Sequence, residues 1–130
     1  MQEILFVHDF QESPVTRKNC LEMSGFQVTL LKSGDECLKR LTQRKPALVL
    51  MDILLEGMNG FGCCRAIREI VTPEEVPIVL CSHIYRSRLY RDEALAVGAQ
   101  RYLLLPMKPE ELLKQLIELT ASKDAPVRTR

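Results

Sequence analysis

No run of this chain is long and apolar enough to span a membrane, nothing at its start reads as a secretory leader, and no stretch repeats or drops into low complexity. Those absences set aside a membrane span, an exported scaffold and a repeat array, and lead to the expectation of a cytoplasmic location. Net charge is almost lacking as well: 18 Lys and Arg against 17 Asp and Glu leave +1. Such a balance makes no global field for nucleic acid, so any electrostatic recognition must come from a local patch. Nor is there an even set of cysteines. The five, Cys20, Cys37, Cys63, Cys64 and Cys81, are an odd count lying mostly in apolar segments, which points to reduced thiols and not to a disulfide framework. Finally, no glycine-rich phosphate loop follows the first apolar segment, where His8-Asp9-Phe10-Gln11-Glu12 stands, and no thiolate or serine nucleophile follows it either. A small phosphatase or flavin-binding protein, the alternative reading, would need one of these.

What is present is the size and mix of one globular domain: 130 residues, 46% of them hydrophobic. Glu3-Ile4-Leu5-Phe6-Val7 is a short run of strand formers that ends abruptly in polar residues. Ser13-Pro14 then reads as an N-cap with proline in the first helical position, and Ser24-Gly25 closes that helix. Phe26, Val28 and Leu30 alternate with polar residues, the pattern of a strand at a sheet edge. Ser33 to Glu36 has the capping-box spacing ahead of Cys37, Leu38 and Leu41, and Lys45-Pro46 stops that second helix.

Ala47-Leu48-Val49-Leu50-Met51 is apolar throughout and too short for an ordinary helix, so it suits a strand buried on both faces, ending in Asp52. Phe61, Cys64, Ile67 and Val71 recur at helical spacing. A fourth strand over Val76-Pro77-Ile78-Val79-Leu80-Cys81 ends at Ser82, and a helix ending in Val97-Gly98 follows. Tyr102-Leu103-Leu104-Leu105 makes the fifth strand, and Pro109 opens a last helix with a stripe of Leu112, Leu113, Leu116 and Ile117.

Strands alternating with helices predict a doubly wound, flavodoxin-like α/β fold with a five-stranded parallel sheet in the order 2-1-3-4-5. The domain is expected over residues 1–120, with 121–130 as a C-terminal tail or linker. In such a sheet ligands bind beyond the carboxyl ends of the strands, where the strand order reverses. The residues at those ends are His8, Asp9 and Asp52, with Ser82 next door and Leu105-Pro106 beyond. Gathered carboxylates repel unless a cation lies between them, and Mg²⁺ is the hard ion suited to them. A carboxylate so placed can also attack phosphorus to form an aspartyl phosphate.

With these pieces assembled, the chain resembles a receiver domain of the two-component response regulators over nearly its whole length. The resemblance is carried in order by Ile4-Leu5-Phe6-Val7-His8-Asp9, by Leu50-Met51-Asp52 through Gly57-Met58-Asn59-Gly60, by Pro77-Ile78-Val79-Leu80-Cys81-Ser82, and by Gly98-Ala99-Gln100-Arg101-Tyr102-Leu103-Leu104-Leu105-Pro106. It implies Asp52 as phosphoryl acceptor, with Asp9, Asp52 and the Leu54 backbone carbonyl as metal ligands. It also implies Ser82 as the switch hydroxyl, Tyr102 as the switch aromatic, and a cis peptide bond before Pro106. The implied partners are a histidine kinase or other phosphodonor and an output protein or second copy.

Two positions depart from the family. His8 stands where the first acidic residue belongs, and Leu105 where the lysine belongs. A charge-assisted contact of the kind that lysine supplies is worth about 1.5–3 kcal/mol, so its loss weakens the phosphorylated state roughly 10- to 150-fold. Imidazole suits borderline transition metals better than Mg²⁺. Weak Mg²⁺ binding and slow or absent phosphorylation are expected, as in a pseudo-receiver that signals by protein contact. Simpler readings stand beside these roles: Asp9 as a helix cap, His8 as a hydrogen-bonded strand-end residue instead of a metal ligand, Ser82 as a loop cap, Tyr102 as a strand aromatic that never moves, Leu105 as core, and Cys63-Cys64 as structural thiols. Arg86, Arg88, Leu89, Tyr90, Arg91 and Arg101 mix the residue types enriched in interface hot spots, and mark a candidate partner face around the fourth helix, fifth strand and last helix. No nucleic-acid-binding motif accompanies them.

Overall fold

A computed structural model of the protein describes residues 2–8 and 15–124. The elements alternate as β1 (Glu3–Val7), α1 (Val15–Met23), β2 (Gln27–Leu31), α2 (Gly34–Gln43), β3 (Leu48–Asp52), α3 (Gly60–Arg68), β4 (Ile78–Ser82), α4 (Arg88–Ala96), β5 (Arg101–Leu104) and α5 (Pro109–Asp124). The strands form one parallel sheet in the order β2-β1-β3-β4-β5, as the alternation of elements implied. The expected helix opening at Ser13-Pro14 lies outside the described residues.

Period-two alternation sorts the strand side chains into two cores. Ile4, Phe6, Leu48, Leu50, Val79, Cys81 and Leu103 pack with Leu21 of α1 and with Leu112 and Leu116 of α5. Leu5, Val7, Val49, Met51, Ile78 and Leu80 pack on the opposite face with Cys37 and Leu41 of α2, Cys63, Cys64 and Ile67 of α3, and Ala94 of α4. Each fully buried Leu or Ile contributes about 1.5–3 kcal/mol over leaving it exposed, which is why β1, β3 and β4 are apolar almost throughout. At the edge, β2 keeps several residues partly wet.

Local chemistry sets the helix ends. Ser33 caps α2 by accepting from the Glu36 N–H at 3.2 Å, while the Glu36 carboxylate reaches back to the Lys32 N–H at 2.6 Å and not to Ser33 itself, so the capping box is offset by one residue. Asn59 caps α3 in the same way through the Gly62 N–H at 2.9 Å. Regular helix α3 ends at Arg68, short of Val71, yet the Val71 N–H still bonds the Ile67 carbonyl at 2.9 Å and the side chain is buried. The expected α5 stripe divides: Leu112 and Leu116 are buried, whereas Ile117 is 43% exposed. At the sheet's amino end, Glu3 is buried beneath Thr29 and Arg40, both of which donate to its carboxylate.

Candidate functional site

The strand register brings the singled-out residues to one end of the sheet. Val7 pairs with Met51, so His8 and Asp52 follow next on neighbouring strands, whose spacing across the sheet is about 4.8 Å. Asp52 in turn pairs with Cys81, the residue before Ser82. By alternation His8, Asp52 and Cys81 face the α1 and α5 side, while Ser82 and Tyr102 face the α4 side. Asp9 lies outside the described residues.

Asp52 is only 8% exposed, and one carboxylate oxygen accepts from the Leu54 N–H at 2.9 Å, which turns the carboxylate toward its own loop. Gly60 makes room there: its N–H bonds the Ile53 carbonyl at 2.9 Å, and a Cβ on it would meet Ile53 Cα at 2.6 Å and the Asp52 carbonyl oxygen at 2.8 Å. His8 is buried, its N–H bonded to the Leu31 carbonyl at 2.9 Å and its ring edge-on to Phe6 at 5.6 Å between centroids.

Ser82 is fully buried, and its hydroxyl oxygen accepts from the Ile84 and Tyr85 N–H groups at 3.0 Å each, closing the loop between β4 and α4. The Tyr102 hydroxyl donates to the Tyr85 carbonyl at 2.5 Å in that same loop. Burial raises the Tyr102 phenol, against a lowering by the nearby Ser82 hydroxyl. Leu105 follows β5, is buried among Leu103, Leu112 and Leu116, donates its N–H to the Ser82 carbonyl at 2.9 Å, and is joined to Pro106 by a cis peptide bond. A hydrocarbon therefore occupies the strand end beyond Asp52 on the α1 and α5 side.

Three residues to which sequence reasoning gave no part in the site border this end. Arg86 donates to the Leu105 carbonyl at 2.7 Å, tying the loop after β4 to the loop after β5. Arg17 of α1 lies 3.5 Å from the His83 ring through Nη2 and Nε2. The Cys81 thiol is pushed up to about 12 by burial and by the Asp52 charge, and pulled the other way by Arg17. Arg17 stands four residues before Leu21, the residue of α1 that the helix buries, but that spacing alone does not bring it to β4.

Among the described residues no group of three or more His, Cys, Asp and Glu side chains is gathered as a cation cage. The described donors at the strand tips are the Asp52 carboxylate, an oxygen ligand of the kind Mg²⁺ prefers, and the softer His8 nitrogen. Of the two, the Asp52 carboxylate is the donor that suits a Mg²⁺ ion keeping most of its waters.

The family model of the response regulator receiver domain matches residues 4–117. The chain belongs to the response regulator receiver family. It is therefore a receiver module of two-component signalling, and receivers of this family bind Mg²⁺ at their phosphorylation site and pair with histidine kinases. Among curated relatives, the phosphate regulon transcriptional regulatory protein PhoB of Rhizobium meliloti is 31% identical over 116 residues, covering 89% of this chain and 51% of the relative. The DNA-binding response regulator MtrA of Mycolicibacterium smegmatis is 31% identical over 126 residues, covering 96% of this chain and 54% of the relative. The receiver thus spans about half the length of these relatives. Among solved structures, the BeF3-activated N-terminal receiver domain of Klebsiella pneumoniae RstA has a TM-score of 0.81 at 31% identity, with 92% of this chain and 97% of that one covered. The chemotaxis response regulator CheY4 of Vibrio cholerae has a TM-score of 0.82 at 27% identity, with 92% and 98% covered.

The residues named for the partner face do not all fall together. Arg86, Arg88 and Arg91 line a shallow pocket of about 210 Å³ with Ser87, Tyr102 and Leu104, and Leu89 beside them is 76% exposed. Arg101 lies at the α5 side of that face, where it donates to Glu118 at 2.9 Å and also to Gln115. Tyr90 packs at a tilt against Tyr85, 4.7 Å between ring centroids, and lines a separate hollow with Ile53 and Leu54. Cys63 and Cys64 bond to different helices' carbonyls, Gly34 at 3.7 Å and Val97 at 3.5 Å, as two structural thiols.

Proposed function

We propose that this receiver accepts a phosphoryl group on Asp52 slowly and incompletely, and passes its signal mainly by protein contact. The single observation behind this reading is Leu105 buried at the end of β5, where the family lysine would otherwise meet the phosphoryl oxygens. In the reaction a carboxylate oxygen of Asp52 forms a bond to phosphorus as the donor's P–N bond breaks, the electron pair leaving with the kinase imidazole. The chain's own part is to hold Asp52 at the strand tip through the Leu54 N–H, and to offer Ser82 and Tyr102 as the pair that moves when the anion forms. Asp52, with Asp9 and the Leu54 carbonyl, would hold Mg²⁺, which would supply positive charge beside the transferred group; His8 in place of an acid would weaken that binding.

The receiver unit is assigned to residues 1–120 with 121–130 as tail or linker; the family match to residues 4–117 supports this, while α5 itself carries on to Asp124. Output partners, or a second copy, engage the face of α4, β5 and α5 around Arg86, Arg88, Leu89 and Arg91, which is exposed and rich in arginine. A cytoplasmic site of action is part of this reading; among the described residues no helix is long and apolar enough to cross a membrane. The alternative of a small flavodoxin-like phosphatase or flavoprotein has no feature in its favour. The test is incubation with phosphoramidate and Mg²⁺, read by intact mass. Slow, partial label that disappears in Asp52→Asn supports the reading; rapid, complete labelling overturns it.

A further inference from the structure

Leu105 leaves the α1 and α5 side of the site without a donor from β5, and α1 supplies a different one. Leu21 of α1 is fully buried in the core on the face of the sheet that holds Leu50 and Cys81. Because β1 and β2 are parallel, α1 between them runs back against the strands. A residue four positions earlier on the same helix face therefore stands about 6 Å nearer the strand tips. That residue is Arg17, on the side of the sheet that Asp52 also faces.

The side chain reaches the site's rim. Arg17 Nη2 is 3.5 Å from Nε2 of His83, the residue that follows Ser82. A guanidinium only donates, so the His83 ring nitrogen is the acceptor in this contact. At that length the contact is a loose one. An anion at Asp52 would draw the guanidinium across, since its planar fork matches phosphate oxygens two at a time. The Cys81 thiol, beside Asp52 in register, already feels the Asp52 and Arg17 charges together.

We propose that Arg17 is the cation that receives a phosphoryl group, or an equivalent tetrahedral oxyanion, at Asp52, parked on His83 above the tip of β4 while the site is empty of anion. This rests on Asp52 as acceptor, and it makes the site one in which the positive charge comes from α1 and not from β5. Arg17 is half-buried, so its replacement leaves the core intact.

The experiment compares wild type, Arg17→Ala and Arg17→Lys in Mg²⁺ and phosphoramidate, with melting temperature as the control for folding. The labelling rate should fall about 10-fold or more in Arg17→Ala, the loss expected for a charged hydrogen bond, with Arg17→Lys between the two. Equal rates in wild type and Arg17→Ala would overturn the proposal. Should wild type take no label, the acceptor reading fails and inorganic phosphate then decides for Arg17 alone: a rise in melting temperature in wild type that Arg17→Ala lacks sustains the oxyanion site. An equal rise in both, or a rise in neither, overturns it.

Discussion

Gly60 sits at the start of α3, where helix propensity alone says that alanine should be the better residue by up to about 1 kcal/mol. The structure gives the opposite sign. A Cβ at position 60 would lie 2.6 Å from Ile53 Cα, 2.8 Å from the Asp52 carbonyl oxygen and 3.3 Å from the Asp52 carbonyl carbon. All three are backbone atoms of the segment that ends β3, so no flexible side chain can yield. Overpacking of this kind costs about 1–3 kcal/mol, and contact with backbone places Gly60→Ala in the upper part of that range. Setting off the propensity gain leaves a net loss of about 1–2 kcal/mol. For a chain of this size that is a fall of about 3–10 °C in Tm, which thermal unfolding followed by circular dichroism measures directly. Because the displaced atoms belong to Asp52 and its successor, the rate of phosphoryl labelling should fall along with stability. An alanine variant as stable as wild type, or more so, would refute the close approach of α3 to the end of β3.

Other consequences can be checked together. Burial pushes the Glu3 carboxyl up, but the Thr29 and Arg40 hydrogen bonds outweigh it and hold the group below its ordinary 4.5. Its stabilisation is thus complete above that value and lost as pH falls through the lower folded value, while Glu3→Ala, which removes the carboxylate acceptor of Thr29 and Arg40, should cost about 1.5 kcal/mol or more at neutral pH and less in acid, by urea unfolding. Burial pushes Cys64 up to about 11 and Cys81 up to about 12, and Cys37 and Cys63 are also buried, so in the native protein a thiol reagent should modify Cys20 first and the other four only on unfolding. Tyr102→Phe removes the donor to the Tyr85 carbonyl and should cost about 1 kcal/mol in denaturant unfolding; no cost would show that this hydroxyl does not hold the loop after β4.

The sheet was legible because burial on both faces leaves strands such as Leu48–Asp52 no polar residue until the tip, and that same rule placed Asp52 at the functional end. Position 105 was legible by its spacing from Gly98, and the structure finds Leu105 there ahead of a cis proline. Finer features depended on geometry that spacing does not encode. Val71 keeps helical period beyond α3 because one further turn of hydrogen bonding follows Arg68, and Ile117 faces solvent because only a narrow strip of α5 reaches the sheet. Arg17 could not be read as a site residue, since its approach to β4 depends on the rotation and height of α1 against the sheet.

Whether the tips of β1 and β3 act as one pocket is asked most directly by isothermal titration of wild type and Asp52→Asn with Mg²⁺. Weak but measurable heat in wild type that vanishes in Asp52→Asn is the expected result. Tight binding, or heat that the substitution leaves unchanged, would contradict a weakened receiver site centred on Asp52.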